Sequence, residues 1–385
     1  MSHEPSNIAL RYLQRHVLLL SLLPLGLLFT FTATLAREYH VREQRLVREW
    51  FRQGNQDFAA GQPRRALEDF RNALSYDPEN SLVQMRLAET LLSDGQLGEA
   101  HTYFSTLWER SPGSGQLNLD LARVSARSGD SEEAVRFFQT AIYGSWAGDP
   151  TEERRNVRLE LSEYLLAQGR RSDAQAQLMA LAADISPDEL SWHEKTGQMF
   201  LQAGEPGRAL EEFEETLSRN PQETKLLETA GEAAFAAGDY GKAEKYLDRA
   251  NHETPSQADV EMLATARELM EGDPFQAGLS DAEQASRTWR AFQHGNERLQ
   301  ACTRPVSANA PAPSPALDLP NLVQEGMALK KKTSMGSLIQ HPDLRKEAMQ
   351  FIFRVEEATE NSCAAPASMD RALILMARRQ GGNNP

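Results

Sequence analysis

Small and apolar residues recur along this chain at intervals of 34 positions. Gly61 and Phe70 are followed at that distance by Gly95 and Phe104, and polar residues fill most of the positions between them. Apolar residues inside each interval lie three or four apart, which places their side chains on one face of a helix. The pattern therefore predicts a series of short helices joined by turns. Its members are Gly61, Ala66, Phe70, Ala73 and Pro78; Gly95, Ala100, Phe104 and Pro112; Gly129, Ala134, Phe138 and Ala141; Gly204, Ala209, Phe213 and Pro221; and Gly238, Ala243, Leu247, Ala250 and Pro255.

Each class of recurring residue has a structural role in a pair of antiparallel helices. Glycine ends the first helix, because it adopts the left-handed conformation without a Cβ clash. Alanine fits where two helix axes pass close together, and the aromatic residue four positions later fills the space between them. Proline ends the second helix. We therefore expect these residues to form a core rather than a catalytic site. The predicted turn glycines are Gly61, Gly95, Gly129, Gly169, Gly204 and Gly238.

The chain resembles the tetratricopeptide-repeat family from about Val47 to Ser280. Counted from Val47, the family's tryptophan, glycine and late proline fall on Trp50, Gly54 and Pro78. The third repeat departs from the family pattern, because Trp146 replaces its proline and extra residues follow through 150. The resemblance implies an all-α, right-handed α-solenoid of six to seven helix pairs in residues 47–279.

Segments of different composition flank the repeats. Ser280 and Glu283 form a capping-box pattern that predicts a capping helix over 280–303. Residues 304–320 are rich in proline and alanine and predict an extended linker, and 321–379 regain helical periodicity. Before the repeats we expect a short tail at 1–16, a transmembrane helix at 17–36 and a polar stalk at 37–46. Residues 380–385 are predicted to be disordered.

The segment from Val17 to Ala36 has 20 residues and no charge. A helix of about 20 apolar residues spans the hydrocarbon core of a bilayer. A signal peptide cleaved after Ala36 is the alternative, because small residues precede that position. The apolar run exceeds the length usual for such peptides, so the sequence favours a retained anchor.

Two features of the sequence give opposite predictions for the orientation of this anchor in the membrane. Five arginines follow the span closely and two precede it, which by the positive-inside rule favours a cytoplasmic position for the repeats. Long trailing domains, however, translocate largely regardless of charge. The chain also resembles bacterial envelope proteins with one anchor and tetratricopeptide repeats, so we expect a single-pass cell-membrane protein whose soluble part is extracytoplasmic.

Charge and residue usage narrow the classes of function. The net charge is −14, and residues 205–285 hold 19 acidic against 7 basic side chains. A nucleic-acid partner would require the opposite sign. No histidine has a second ligand at helical spacing, and no phosphate-binding glycine loop is present. The sequence therefore predicts a protein that is not an enzyme and has no cofactor, no metal and no nucleic-acid partner.

The predicted binding surface comes from the resemblance. In this family the first helix of each repeat lines the concave face at its second, fifth, ninth and twelfth positions. Apolar side chains at the fifth and twelfth positions would form a groove for an amphipathic helix or an extended peptide. The alternative is that these residues pack inside the molecule, for instance against the C-terminal segment. The candidates are Phe51, Phe58, Met85, Leu92, Leu119, Leu159 and Leu166; Glu194, Glu228 and Glu232 make the later repeats polar.

Three functions are compatible with this organisation. The first is a membrane-tethered scaffold that assembles proteins of the cell envelope through its repeats. The second is a secreted periplasmic adaptor, released by cleavage of the N-terminal segment. The third is an accessory or regulatory subunit of a membrane enzyme or transporter, with 321–379 as its effector part. The sequence does not identify the protein or peptide partner.

Cys302 and Cys363 are the two cysteines of the chain. One follows the predicted capping helix and the other follows an apolar helical stretch, with the linker between them. In an oxidising compartment two such cysteines are candidates for one disulfide. The alternative is that they are two unrelated small apolar side chains.

Overall fold

The computed structural model describes residues 6–252, 256–303, 319–360 and 363–380, with side chains from residue 27 onward. This part of the chain is α-helical throughout, as predicted, and contains no strand. The helices are α1 Ser6–Ala59, α2 Pro63–Tyr76, α3 Ser81–Ser93, α4 Leu97–Arg110, α5 Gly115–Ser128, α6 Ser131–Ile142, α7 Pro150–Ala167, α8 Arg171–Ala182, α9 Leu190–Gln202, α10 Pro206–Arg219, α11 Thr224–Ala237, α12 Tyr240–Asn251, α13 Gln257–Gly272, α14 Asp281–Thr303, α15 Leu319–Lys332, α16 Met335–Gln340, α17 Pro342–Thr359 and α18 Ser368–Gln380.

Glycine turns separate the two helices of each repeat. All six predicted turn glycines have positive φ, between 70° and 85°. Gly129 and Gly238 occupy the left-handed position directly after α5 and α11, and their amides donate to carbonyls of the last helical turn. Any side chain would be strained in this conformation, so the prediction that glycine ends the first helix is confirmed.

The core between paired helices consists of the predicted small and aromatic residues. Phe70, Phe104, Phe138 and Phe213 are buried in it, and a glycine on the facing helix makes room in two repeats. A Cβ atom on Gly54 would lie 2.7 Å from the Phe70 ring, and one on Gly197 would lie 2.6 Å from the Phe213 ring. The helices therefore approach each other closely at these points. One alanine near the start of each second helix is fully buried at this approach: Ala66, Ala100, Ala134, Ala174, Ala209 and Ala243.

The chain folds as two compact units, Met1–Tyr164 and Leu165–Pro385. In the first unit, the departure of the third repeat from the family pattern has a local explanation. Trp146 covers Gly115, where a Cβ atom would lie 2.2 Å from the indole, and its Nε1 donates to the carbonyl of Ala141. The tryptophan in place of proline therefore closes the turn by packing.

The second unit contains the remaining repeats and the C-terminal helices. Ser280 and Glu283 form the predicted reciprocal cap at the start of α14, with bonds of 2.9 and 3.3 Å. Residues 304–318 of the predicted linker lie outside the described part of the chain, and residues 319 and 320 begin α15. Helices α13, α14, α15, α17 and α18 share one apolar core, in which Phe292, Phe351 and Leu373 are buried.

The N-terminal helix runs without interruption from Ser6 to Ala59. Its last turns pack against α2 as the first helix of the first repeat, and the predicted stalk at 37–46 is part of the same helix. Side chains before residue 27, including the first half of the predicted membrane span, lie outside the described residues. Within the described residues, none of the helices has both the length and the apolar character required to cross a bilayer. The anchor stays a prediction.

Candidate functional site

Three of the four predicted groove residues on the first two repeats are partly exposed. Phe51, Phe58 and Met85 are half-buried, and each packs with one side against the core. The Phe51 ring lies 5.9 Å from the ring of Phe70, centroid to centroid. Each of the three side chains therefore has a side packed against the core and a side open to solvent.

The other groove candidates differ in how much surface they offer. Leu92 and Leu119 are buried, with 7% and 5% of their surface exposed. These two side chains therefore belong to the interior and have little area for a partner. Leu159 and Leu166, seven positions apart on α7, are half-buried. Fewer of the predicted groove residues are therefore accessible to a partner than their spacing in the sequence indicates.

A buried acid lies among the helices of the first unit, and sequence reasoning did not single it out. Asp120 on α5 accepts a hydrogen bond from Gln116 and lies 3.4 Å from Arg123, whose guanidinium also makes two bonds of 2.8 Å to Glu160. Burial raises the pKa of Asp120 to about 6, although Gln116 and Arg123 act in the opposite direction. An ionised Asp120 therefore costs folding energy at neutral pH.

The predicted acidic side chains of the second unit lie on α9 and α11. Burial, with the charge of Glu223, raises the pKa of Glu194. Burial and the charges of Asp259 and Glu228 raise the pKa of Glu232, although Lys225 opposes them. In both cases burial is the larger cause and neighbouring acidic side chains add to it.

The C-terminal helix covers another part of the second unit. Arg371 of α18 lies 3.1 Å from Glu261 of α13, and the guanidinium of Arg379 lies over the ring of Tyr240 at 4.7 Å. Phe235, on the first helix of the sixth repeat, packs against the C-terminal core. The C-terminal segment therefore packs against the last repeats, at residues that are not among the predicted groove candidates.

Cys302 and Cys363 are joined in the structure. Their Cα atoms lie 5.5 Å apart, and the bond connects the last turn of α14 to the segment that precedes α18. Because 61 positions separate the two residues, the bond fixes the start of α18 to a helix far from it in sequence. The predicted disulfide and the C-terminal helices are thus parts of one arrangement.

A group of charged side chains lies beside this bond, where α14, α17 and α18 meet. Arg298 Nη1 lies 2.7 Å from Asp370 Oδ2, and its Nε lies 3.2 Å from Glu356 Oε2. On the other side of Asp370, Oδ1 lies 2.5 Å from His294 Nε2. The Asp370 carboxylate also accepts the amide of Ala367, which caps α18. Arg298 of α14 therefore connects all three helices, through Glu356 of α17 and Asp370 of α18.

Burial and hydrogen bonding shift the pKa values of this group in different directions. Burial raises the pKa of Glu356 to about 7, and the charge of Asp370 adds to the effect. For Asp370, burial is outweighed by hydrogen bonds from His294 and Ala367 and by the charge of Arg298, so its pKa is lowered. The hydrogen bond to Asp370 raises the pKa of His294. The sequence offered a partial signal for this group, because His294 and Arg298 are four residues apart on one helix face.

Two family models match the chain, and both describe a tetratricopeptide repeat. One matches residues 57–107, 91–143 and 200–266, and the other matches residues 159–224. Together these segments cover just over half of the chain, and they coincide with the helix pairs of the structure. A search of curated proteins finds no significant match.

Solved structures with the same kind of repeat resemble the chain at low identity. PilW, described as a widely conserved type IV pilus biogenesis factor, is 20% identical with a TM-score of 0.39, covering 57% of this chain and 98% of its own. A tetratricopeptide-repeat protein from Parabacteroides merdae is 13% identical with a TM-score of 0.39, covering 74% and 99%. The C-terminal part of a repeat protein from Cytophaga hutchinsonii is 15% identical with a TM-score of 0.43, covering 62% and 93%. Similarity of this size does not transfer a binding partner.

Proposed function

The chain belongs to the tetratricopeptide-repeat family, and from this membership we propose that it is a non-catalytic scaffold that binds another protein through the first helices of its repeats. The observation that carries the proposal is the placement of Phe51, Phe58 and Met85. These large apolar side chains are held in place by the core on one side and are partly open on the other. A row of this kind suits the apolar face of an amphipathic helix or the side chains of an extended peptide.

A pair of substitutions on α1 and α3 tests this proposal. Replacing Phe58 and Met85 with serine removes apolar area from the binding face, and we expect capture of the partner to fall at least tenfold. The partner is first identified by photo-crosslinking in cells from a crosslinkable amino acid at position 58 or 85. Binding of the identified partner to purified variants is then measured by calorimetry.

The matched control is Met179→Ser. Met179 lies on α8, the second helix of its repeat, and 53% of its surface is exposed, whereas the proposed binding face is formed by first helices. We expect this variant to bind the partner like the wild type. Equal loss of binding in the control, or unfolding of the double variant measured by circular dichroism, would show that the groove residues serve packing alone.

The scaffold is proposed to be tethered to a membrane by the N-terminal helix. Support comes from a run of apolar side chains on α1 that are open to solvent, among them Leu27, Phe29, Phe31 and Leu35, with Phe29 73% exposed. Exposed apolar surface of this extent is typical of a region that contacts lipid or another protein. Cleavage after Ala36, which would release a secreted adaptor, is the competing form.

The repeats are proposed to face an extracytoplasmic compartment. The bond between Cys302 and Cys363 supports this location, because disulfides persist in oxidising compartments and are rare in the cytosol. Alkylation of the native protein without reductant tests the proposal. We expect no reactive thiol before reduction and two after it. Two reactive thiols in freshly isolated cells would place the repeats in a reducing compartment.

A further inference from the structure

Three side chains that commonly bind metal ions converge in the second unit. His294 of α14, Glu356 of α17 and Asp370 of α18 each place one ligand atom within 4.8 Å of the others. Glu356 is fully buried and Asp370 is 3% exposed. Buried carboxylates are costly unless a cation or hydrogen-bond donors compensate them, so the surroundings of this pair require explanation.

Arg298 compensates only part of this negative charge. Its Nη1 binds Asp370 Oδ2, and its Nε donates to Thr359 Oγ1 at 2.8 Å while lying near Glu356 Oε2. One guanidinium therefore serves two carboxylates. Among the described residues, neither oxygen of Glu356 has a hydrogen-bond partner. Within this part of the chain, Glu356 thus presents a fully buried carboxylate without a hydrogen bond, next to two other side chains whose ligand atoms lie within 4.8 Å of it.

We propose that these residues form a zinc site, with His294 Nε2 and one oxygen each from Glu356 and Asp370 as ligands. Zinc binds nitrogen and carboxylate oxygen at about 2.0–2.2 Å, so neighbouring ligand atoms lie about 3–4 Å apart. The three side chains would need to shift by less than about 1 Å to reach that spacing. The imidazole favours zinc over calcium or magnesium, which bind oxygen ligands.

Arg298 fits this proposal as a group that orients the ligands. It contacts Oδ2 of Asp370, whereas Oδ1 faces His294. The guanidinium is held in place by additional contacts with the hydroxyl and carbonyl oxygens of Thr359. Partners of this kind, which hold a ligand by its second oxygen, are typical of metal sites in proteins.

Two of the three proposed ligands line a cavity. It has a volume of about 600 Å³ and is lined by His294, Asp370 and both cysteines of the disulfide, whereas Glu356 is not among its lining residues. A metal site needs an entry path, and this cavity provides one to His294 and Asp370. Because the ligands come from α14, α17 and α18, bound zinc would connect the three helices and stabilise the C-terminal core.

Zinc titration of the tag-free, full-length protein tests the proposal. The protein is dialysed against a chelator and titrated with zinc chloride by calorimetry, and its thermal unfolding is followed with and without zinc. We expect one zinc ion per chain and a rise in melting temperature. Glu356→Gln should weaken zinc binding at least about tenfold and abolish the thermal shift. X-ray absorption should show nitrogen and oxygen ligands without sulfur.

Two variants distinguish a lost ligand from a damaged fold. Glu356→Gln removes a buried charge and keeps the side-chain shape, so we expect the zinc-free variant to be at least as stable as the wild type. Glu357→Gln, on the exposed neighbouring position, should bind zinc like the wild type. Equal zinc binding by the Glu356 variant would overturn the proposal. So would stability that responds to pH but not to zinc, because a proton would then supply the missing charge.

Discussion

At the scale of single residues, a glycine on the first helix of a repeat sets the distance to the second helix. Gly197 of α9 is the clearest case, because a Cβ atom there would overlap the Phe213 ring at 2.6 Å. We expect Gly197→Ala to destabilise the protein by about 1–3 kcal/mol, because the ring has no free space to move into. Urea unfolding followed by circular dichroism measures the change.

Gly207, in the second helix of the same repeat, is the control for this substitution. No atom lies within 4 Å of a Cβ atom built there, and its backbone is helical. Gly207→Ala should therefore be neutral or stabilising by up to about 1 kcal/mol, because alanine favours the helix. The same unfolding midpoint for both alanine variants would contradict the prediction, because close packing at Gly197 would then not limit the size of the side chain there.

Asp120 gives the first unit a stability that depends on pH. Its pKa in the folded state, about 6, is above the ordinary value of 3.8. Because the pKa of Asp120 is higher in the folded state than in the unfolded state, its protonated form favours folding. This stabilisation is fully present below the unfolded pKa and is lost as the pH rises through about 6. Asp120→Asn should remove this dependence and stabilise the unit at pH 7.5 by on the order of 2 kcal/mol.

The measurement for Asp120 is the difference in unfolding free energy between variant and wild type at pH 4 and at pH 7.5. We expect a small difference at the lower pH and the full gain at the higher one. Glu132→Gln, an exposed position on α6, is the control and should show no such difference. A variant less stable than the wild type at pH 7.5 would mean that Arg123 depends on the Asp120 charge.

At the scale of elements, the N-terminal helix carries the prediction of a membrane anchor. If residues 17–36 are retained as an anchor, full-length protein should stay with the membrane fraction after alkaline carbonate washing, because integral segments resist extraction. N-terminal sequencing of the mature protein should then begin before Val17. A mature chain that begins at Arg37 would contradict the anchor and support the secreted form.

At the scale of the whole molecule, the parts that follow from local spacing were predictable from sequence. The turn glycines, the buried alanines and the aromatic core repeat at a fixed interval, and each depends on neighbours within one or two helices. The exposure of groove residues was less predictable, because Leu92 and Leu119 share the spacing of Met85 but are covered by the interior. Spacing identifies a helix face and does not say how much of it the next helix covers.

The cluster around Asp370 could not be predicted from the spacing of residues in the sequence. Its contacts join residues that are 72 and 76 positions apart, and they come from helices with no repeat pattern. No periodicity relates α14 to α17 and α18, so only the folded chain brings these side chains together. The pairing of the cysteines, by contrast, could be predicted from the sequence, because two cysteines allow only one intramolecular bond.

The bond between Cys302 and Cys363 also closes the polypeptide into a ring. Every peptide bond between these two positions lies within that ring, including those of the proline-rich stretch. A protease that cuts the ring once would therefore produce two fragments that stay covalently linked, and the C-terminal helices would remain attached to the repeats. For a protein exposed to the proteases of an extracellular or periplasmic environment, such a break would leave the molecule nicked but in one piece.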